Sequence, residues 1–443
     1  MSRRPTTPLI VSSVRYRRLA KEGVSITLGQ VFSVLGALVL VRVLTESLDP
    51  VQYGQIALGL TIVGLVEQVT MSGLGAGINR FYSVAAEKGD LGGYLHASRY
   101  LVMCATLVVA VVGPILLGVL GFVGGAGFVA FAAVTIVFSL LNAYVGMFSA
   151  IQNAARRRAT VAFNSVLDAW LKVLFAVSMI GLFGASSIAV VGGYLLSSLV
   201  VTGSQLYFLG RLLPRQIDWR ADRRPWVKQM WAYAWPFSTW GIFTWAQVSS
   251  DRWALEVFAT TQDVGLYAVL FQIGYAPVAM ATSMAVSFIG PILFQRSGDA
   301  SSESRNAGVG ILAWRITFLF LGFTVFGFLA ALALHEWVFR LLVAAEFRSM
   351  SYLLPWVVLA GGLFATAQML SVKLMSDLRP AAMLWVKIVT AVLGVALNVY
   401  GASVAGADGV VVALVTFSVI YLVWMAYLSR PRIAATPAVE QRE

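Results

Sequence analysis

The sequence has few charges, two histidines and a single cysteine. Charged residues make up 12% of its 443 residues, whereas 59% are hydrophobic. A typical soluble domain carries about 25% charged residues. This balance excludes a soluble enzyme, a disordered chain and a disulfide-stapled secreted protein. Cys104 lies within an apolar run, so we expect a packed hydrophobic residue rather than a reactive thiol.

Long apolar runs dominate the chain, and its mean hydropathy is +0.81. Each run has at least about 20 residues, which is enough for a helix to cross about 30 Å of hydrocarbon. The runs are continuous, unlike the alternating strands of a membrane β-barrel. We therefore predict an all-α integral membrane protein of about 12 transmembrane helices. The predicted spans are residues 24–44, 53–77, 97–121, 124–150, 160–182, 185–209, 229–249, 264–294, 308–333, 351–372, 381–402 and 408–429.

The positive charges alternate between the connections of these spans. The 32 Lys and Arg residues outnumber the 20 Asp and Glu residues, which gives a net charge of +12. Most of these basic residues fall on one side of the predicted bilayer. Cytoplasmic loops of membrane proteins carry such an excess. Membrane topology therefore explains the basic balance better than nucleic-acid binding does. We predict a multi-pass protein of the bacterial inner membrane with both termini in the cytoplasm.

The two halves of the chain begin in a similar way. In each half an Arg–Glu pair four residues apart ends one span, and a glycine begins the next. These residues are Arg42, Glu46 and Gly54 in the first half, and Arg252, Glu256 and Gly265 in the second. The similarity suggests a parallel internal duplication, which is a transporter architecture with its substrate site between the repeats.

The longest basic connection, 210–228, separates the two halves. We therefore predict two six-helix lobes around a central cavity. The N-terminal lobe would comprise residues 1–214 with spans 1–6, and residues 215–228 would form a cytoplasmic basic linker. The C-terminal lobe would comprise residues 229–443, with spans 7–12 and a short cytoplasmic tail.

Short motifs carry a resemblance to a known family. They are Arg42-Val43-Leu44 with Leu48-Asp49-Pro50-Val51-Gln52-Tyr53-Gly54, Gly73-Leu74-Gly75-Ala76-Gly77-Ile78-Asn79-Arg80-Phe81-Tyr82, and Ser250-Asp251-Arg252-Trp253-Ala254-Leu255 with Val264-Gly265-Leu266-Tyr267-Ala268. With the span layout, they make the chain similar to the polysaccharide biosynthesis proteins, or Wzx-type flippases, of the multidrug/oligosaccharidyl-lipid/polysaccharide (MOP) exporter superfamily.

That resemblance implies a function and a set of partners. Members of the family move undecaprenyl-pyrophosphate-linked oligosaccharide from the cytoplasmic to the outer leaflet of the inner membrane. The expected process is alternating access for surface polysaccharide, lipopolysaccharide or O-antigen assembly. The expected partners are lipid-linked oligosaccharide, membrane lipids, a polysaccharide polymerase and a chain-length regulator. Neither nucleic acid nor a cofactor is expected.

Two other functions stay open. One is ion-coupled export of small cationic or drug-like solutes, which the absence of an acidic residue in span 24–44 weakens. The other is a membrane glycan polymerase or ligase, which the short outer connections disfavour. His96 and His335 fall on opposite sides of the predicted bilayer, so they cannot form one acid–base site. No metal-ligand cluster is evident either, and we expect a transporter rather than an enzyme.

Ionisable residues inside the predicted spans are candidate site residues, because a charge at membrane depth needs a partner or a cavity. Polar and aromatic residues of spans 1 and 7 are added as candidates for contact with sugar hydroxyls and sugar faces. The substrate-binding candidates are Lys172, Lys387, Arg252, Gln30, Gln247 and Trp245.

A second group of residues is predicted to couple or gate transport. These are Glu67, Asp168, Asp251 and Arg42. Alternative interpretations are structural. Asp168 and Lys172 are four residues apart and are placed to neutralise each other on one helix face. Lys387 is close enough to a span end to reach the interface. Glu67 is either a protonation site or a hydrogen-bonded acid within the bundle.

Overall fold

The computed structural model describes residues 9–212, 221–297, 303–376 and 380–430, and the regular structure within these ranges is helical throughout. A π-helical turn, Glu67–Ser72, follows α2, and a 3₁₀ helix, Ala345–Leu353, precedes α11. The α-helices are α1 Leu9–Ser47, α2 Pro50–Val66, α3 Gly73–Glu87, α4 Leu91–Ala154, α5 Arg158–Phe183, α6 Ser187–Leu212, α7 Arg224–Phe258, α8 Thr261–Gly274, α9 Ala276–Ser297, α10 Glu303–Leu342, α11 Leu354–Ser376 and α12 Pro380–Leu428.

Within the described ranges, nine helices are long and apolar enough to cross a membrane, and α2 with α3 forms a tenth candidate that is bent by 43°. Large apolar side chains on these helices face outward, as lipid contact requires. Leu182 and Phe326, for example, are 72% exposed. A soluble monomer rarely exposes so much apolar surface. The predicted class, an all-α protein with multiple membrane spans, is confirmed.

Helix α4 is a hairpin and not one straight rod. The hydroxyl oxygens of Thr106 and Tyr144 are 2.5 Å apart, although 38 residues separate them. A straight helix would place them about 57 Å apart at 1.5 Å per residue. The chain therefore folds back within α4, in agreement with the two spans predicted at 97–121 and 124–150.

Helix α12 also consists of two helices. Its backbone leaves helical geometry at Ala405 and Gly406, and Gly406 has a φ of 56°, which favours glycine. Val386 and Met425 share one core cluster despite being 39 residues apart. This turn falls between the spans predicted at 381–402 and 408–429. Counting this hairpin as two spans, and including α7, gives the predicted total of about 12.

The chain divides into two compact units. Unit 1 comprises Met1–Trp253, Thr260–Leu266 and Arg340–Phe347, and unit 2 comprises Ala254–Ala259, Tyr267–Phe339 and Arg348–Glu443. Unit 1 thus contains α1–α6 together with most of α7, beyond the lobe end expected at residue 214. Residues 215–220 of the predicted linker lie outside the described residues. The division into two six-helix lobes stays a prediction.

Small residues allow α7 to pack closely on α2 and α3 within unit 1. A Cβ atom at Gly73 would meet the Ala234 carbonyl oxygen at 2.5 Å, and one at Gly241 would meet the Gln68 carbonyl oxygen at 2.7 Å. Any larger residue at these positions would force the helices apart. Close approach through small residues is a common way for membrane helices to associate.

Candidate functional site

The site begins at the π-helical turn between α2 and α3. Widening the helix over Glu67–Ser72 bends the span and interrupts its regular hydrogen-bond ladder. Such π-turns occur frequently at functional sites. The turn starts at Glu67, whose half-buried carboxylate accepts a hydrogen bond from Asn142 Nδ2 on α4 at 3.3 Å. The predicted bundle acid therefore has a side-chain donor on a neighbouring helix.

A cavity of about 350 Å³ opens beside this turn, between α2–α3 and the second arm of α4. Small residues and Met147 make up the rest of the wall around its polar groups. A pocket of 300–1,000 Å³ is typical of small-molecule sites. By volume the cavity would hold about a dozen waters at 30 Å³ each. The polar lining residues are Glu67, Gln68, Asn79, Ser149 and Asn153.

Helix α6 supports this wall from behind. Gln205 Nε2 donates a hydrogen bond to Ser149 Oγ at 3.1 Å, and the Gln205 side chain is almost completely buried. Ser149 is therefore held in place between the cavity and α6.

An ion pair lies in the same unit, on α5. Lys172 Nζ donates to Asp168 Oδ2 at 2.6 Å, and each side chain is about one-fifth exposed. Ser197 Oγ of α6 donates to the other carboxylate oxygen, Asp168 Oδ1, at 3.0 Å. The Lys172 ammonium also lies 5.8 Å from the Phe138 ring centroid and 5.9 Å from that of Tyr194. The expected pairing of these two charges is present.

The ion pair and the cavity are linked through α4. Phe138 contacts Lys172, and Asn142, one helical turn further along, binds Glu67. The structure therefore brings together three of the predicted site residues. We name Ser197, Asp168, Lys172, Glu67 and Asn142 the polar chain.

Arg42 lies near the C-terminal end of α1, close to the start of α2, whereas the π-turn follows the end of α2. It forms the predicted ion pair with Glu46, and its Nη1 donates to the Val343 carbonyl oxygen at 2.9 Å. Nearby, the Ala344 backbone N–H donates to Thr45 Oγ1 at 3.3 Å. The pair thus holds the segment that follows α10. Its action as a gate stays a prediction.

The glycines of the two duplicated motifs meet in this region. A Cβ atom on Gly54 would collide with the Thr261 carbonyl oxygen, and one on Gly265 with that of Pro50. The start of α2 and the start of α8 therefore touch through backbone. Only glycine permits so close an approach at these two positions.

Asp251 and Arg252 lie near the end of α7. Asp251 is buried and accepts the Arg252 backbone N–H at 2.7 Å, while Arg252 Nη1 is 3.7 Å from Asp251 Oδ1. Trp245, two turns earlier, donates its indole N–H to the Thr61 carbonyl oxygen of α2 at 2.6 Å. That bond fixes the indole against α2. Its expected stacking on sugar is untested.

The remaining candidates are dispersed. Gln30 on α1 and Gln247 on α7 are half-buried in unit 1. Lys387 is half-buried in unit 2, where its neighbour Val386 belongs to a core cluster with Phe417. Substrate binding by these three residues stays a prediction.

Sequence reasoning missed three polar residues of α4, of which Asn142 binds Glu67 and the other two line the cavity. Asn142, Ser149 and Asn153 recur at intervals of seven and four residues, which places them on one helix face. That polar stripe within an apolar span was a readable signal. The partnership of Ser197 with Asp168 had no local signal, because 29 residues separate them.

A family comparison identifies the family of the chain. The family model for the polysaccharide biosynthesis protein family matches residues 19–297 of the chain. The chain belongs to this family. No curated protein matches it.

Solved structures share the fold over nearly the whole chain. A multidrug resistance MATE family transporter of the MOP superfamily, in an inward-facing conformation, aligns with a TM-score of 0.68 and 15% identity over 90% of this chain and 94% of its own. The lipid II flippase MurJ, inward closed, aligns with a TM-score of 0.68 and 10% identity over 92% and 87%. A mutant MATE transporter of Vibrio cholerae gives 0.56 and 13% over 93% and 96%.

Family and fold together define the broad class. This polysaccharide biosynthesis family member is a multi-pass membrane protein with the fold of MOP-superfamily transporters and flippases. The resemblance carried by its sequence motifs is confirmed.

Proposed function

We propose that this protein flips undecaprenyl-pyrophosphate-linked oligosaccharide from the cytoplasmic to the outer leaflet of the bacterial inner membrane, for assembly of a surface polysaccharide such as O-antigen. The family match supports a lipid-linked substrate. The observation that carries the proposal is the polar chain beside a cavity of about 350 Å³ within membrane-spanning helices.

Such a substrate has two parts with opposite solvation preferences. Its polyprenyl tail is stable in lipid, whereas a pyrophosphate and its sugars lose their hydration if they enter hydrocarbon. The protein must therefore supply polar contacts for the headgroup alone. The polar chain offers one cation, one amide, one hydroxyl and two carboxyl groups at membrane depth, where unsatisfied polar groups are costly.

Lys172 is the proposed pyrophosphate ligand of unit 1. In the described conformation Asp168 holds it, and Ser197 supplies Asp168 with a second hydrogen bond at 3.0 Å. Asp168 therefore keeps a donor when Lys172 turns towards a phosphate oxygen. Exchange of one anionic partner for another keeps the Lys172 ammonium paired. Lys387 and Arg252 are proposed as further cationic contacts along the path.

Arg42 and Asp251 are proposed to gate the outer mouth. Arg42 holds Val343, and the backbone contact between Gly54 and Gly265 closes the same region. Alternating access requires these contacts to break and re-form during each cycle. Glu67 is proposed as the coupling residue, which binds and releases a proton as the headgroup passes.

The remaining expectations complete the proposal. Both termini are cytoplasmic, and a polymerase and a chain-length regulator act on the product outside. Translocation forms and breaks no covalent bond, so the protein is proposed to be a transporter without catalytic residues. The second candidate is ion-coupled export of small solutes. By TM-score, the likeness to a multidrug MATE transporter supports this candidate as strongly as the likeness to MurJ supports the flippase.

Reconstitution tests the proposal. Proteoliposomes would contain the purified protein and undecaprenyl pyrophosphate bearing a neutral disaccharide, whose exposure is measured with an impermeant glycosidase. We expect flipping by the wild type and a loss of at least about tenfold in Lys172→Ala, since a charge-assisted hydrogen bond contributes about 1.5–3 kcal/mol. Lys228→Ala, an exposed lysine at the start of α7, is the matched control.

Two results would contradict the proposal. One is the absence of flipping by wild-type protein that is folded in the same vesicles. The other is uptake or release of a drug-like cation with no movement of the lipid-linked probe, which would favour the second candidate.

A further inference from the structure

The proposed function gives no role to the volume of the cavity beside the π-turn, or to its polar lining residues other than Glu67. Its volume of about 350 Å³ is far larger than a single dehydrated cation or water requires. Gly75, Gly146 and Ala150 create this space, because their side chains are too small to fill it. The cavity therefore has room for a group as large as a sugar ring.

The lining has the hydrogen-bonding groups that suit a sugar. Gln68, Asn79 and Asn153 each present an amide that both donates and accepts, and Ser149 adds a hydroxyl. Sugar hydroxyls and N-acetyl groups have the same mixed donor and acceptor character. The polar lining includes two exposed residues, Asn79 and Asn153, and two half-buried ones, Glu67 and Ser149.

The cavity lacks positive charge. Its described lining residues include no Lys, Arg or His, and the one ionisable group among them is the acid Glu67. A carboxylate on a bound sugar would find no cation there, and burying an unpaired charge is costly. The lining therefore discriminates against acidic sugars.

The position of the cavity relative to Lys172 indicates which sugar it would hold. Phe138, which contacts Lys172, precedes Asn142, which binds Glu67, by one turn of α4. It precedes Gly146, which lines the cavity, by two turns. These steps are about 6 and 12 Å at 1.5 Å per residue. A pyrophosphate at Lys172 thus places the sugar bonded to it at the cavity.

We propose that this cavity binds the first sugar of the lipid-linked oligosaccharide and selects an uncharged ring over a uronic acid. This inference rests on the proposed function, because it assumes that a pyrophosphate-linked sugar reaches Lys172. Gln68, Asn79, Asn153 and Ser149 are the specificity-determining residues.

Cysteine protection tests the site separately from transport. Cys104 is exposed and not packed as its apolar run led us to expect, and it is the only cysteine. Cys104→Ala therefore provides a cysteine-free background. Ser149→Cys in this background would be labelled with an anionic methanethiosulfonate in proteoliposomes. Two probes are compared, undecaprenyl pyrophosphate bearing N-acetylglucosamine or glucuronic acid as its first sugar. We expect the neutral probe to slow labelling at least fivefold and the acidic probe to leave it unchanged.

A charge variant makes the specificity testable even if Ser149→Cys folds poorly. Asn153 is exposed at the cavity mouth, so Asn153→Arg is tolerated sterically and supplies the missing cation. We expect Asn153→Arg to shift the ratio of flipping rates towards the glucuronic acid probe by at least fivefold. Gln229→Arg adds the same charge at an exposed position of α7 outside the cavity lining, so it is the control and should keep the wild-type ratio.

The outcomes separate the inference from the proposed function. Flipping of the neutral probe without protection of the cysteine at position 149, or equal protection by both probes, would overturn the sugar site and leave the flippase. Protection by the neutral probe without flipping of either probe would support the site and overturn the flippase. An unchanged ratio in Asn153→Arg would overturn the selectivity.

Discussion

Two ion pairs in unit 1 have the same spacing and different surroundings. Asp168 and Lys172 are four residues apart on α5, as Arg42 and Glu46 are on α1. The α5 side chains are 21% and 22% exposed, and the α1 side chains are 36% and 50% exposed. Identical spacing therefore produces one pair that is enclosed by other helices and one that is near the surface.

Their other partners differ in kind. Asp168 and Lys172, the inner pair, are held by side chains, through the Ser197 hydroxyl and the Phe138 and Tyr194 rings. Arg42 and Glu46, the outer pair, are held by backbone, through the Val343 carbonyl oxygen that accepts from Arg42. Side-chain partners can be exchanged for substrate groups one at a time. Backbone partners separate only when the segments move. The comparison suggests binding at the inner pair and gating at the outer pair.

Neutralising the inner pair is expected to have the largest effect. The double variant Asp168→Asn/Lys172→Met leaves no uncompensated charge, so the protein should stay folded. It lacks the cation for pyrophosphate, and flipping should fall at least about tenfold, since a charge-assisted hydrogen bond contributes about 1.5–3 kcal/mol. The flipping rate in proteoliposomes and the melting temperature in detergent are the measurements.

The control for this variant is the outer pair neutralised in the same way. Arg42→Gln/Glu46→Gln should lose no more than about twofold, because an i,i+4 helix ion pair contributes about 0.3–0.5 kcal/mol. Equal losses in the two double variants, or wild-type flipping without the inner pair, would remove the distinction between the pairs.

Reversing one charge of the outer pair is expected to have an intermediate effect. Arg42→Glu places two like charges four residues apart and removes the donor to Val343. Flipping should fall about twofold to fivefold, from the loss of about 0.5–1 kcal/mol in the closed outer state. The same proteoliposome assay measures it.

The swapped double variant Arg42→Glu/Glu46→Arg decides the cause. It restores the ion pair in the opposite order, so a gate that depends on attraction should recover most of its activity. If the single reversal flips the probe normally, the outer pair is not a gate.

Neutralising Glu67 is expected to have the smallest effect on the basal rate. The amide in Glu67→Gln can still accept a hydrogen bond from Asn142, so packing around the π-turn should persist. Coupling by protonation would be lost, and flipping should no longer respond to an imposed proton gradient. The rate ratio with and without the gradient measures this. A gradient response equal to that of the wild type would exclude Glu67 as the coupling residue.

Local patterns predicted most of the fold and one part of the site. Apolar runs located the spans, and the turn at Ala405–Gly406 lies where the sequence separates its last two spans. The pairing of Asp168 with Lys172 followed from helix geometry alone. These features depend on residues that are close in sequence, for which periodicity is informative.

The rest of the site depends on contacts between distant residues. The Glu67–Asn142 bond joins positions 75 residues apart, and the packing of Gly73 on Ala234 joins helices from opposite sides of the predicted linker. Neither has a local pattern. The π-turn also has no sequence signature that distinguishes it from an ordinary helix. The cavity lies beside the π-turn and the Glu67–Asn142 bond, so it became visible only in the structure.

Photocrosslinking tests the central claim most directly. An undecaprenyl-pyrophosphate probe with a diazirine on its first sugar would be bound to the protein in proteoliposomes, illuminated, and its attachment sites mapped by mass spectrometry. The account predicts crosslinks in the two cavity walls, residues 67–79 of the π-turn and α3 and residues 143–153 of α4. Crosslinks confined to outward-facing apolar residues such as Leu107 and Phe326 would contradict it.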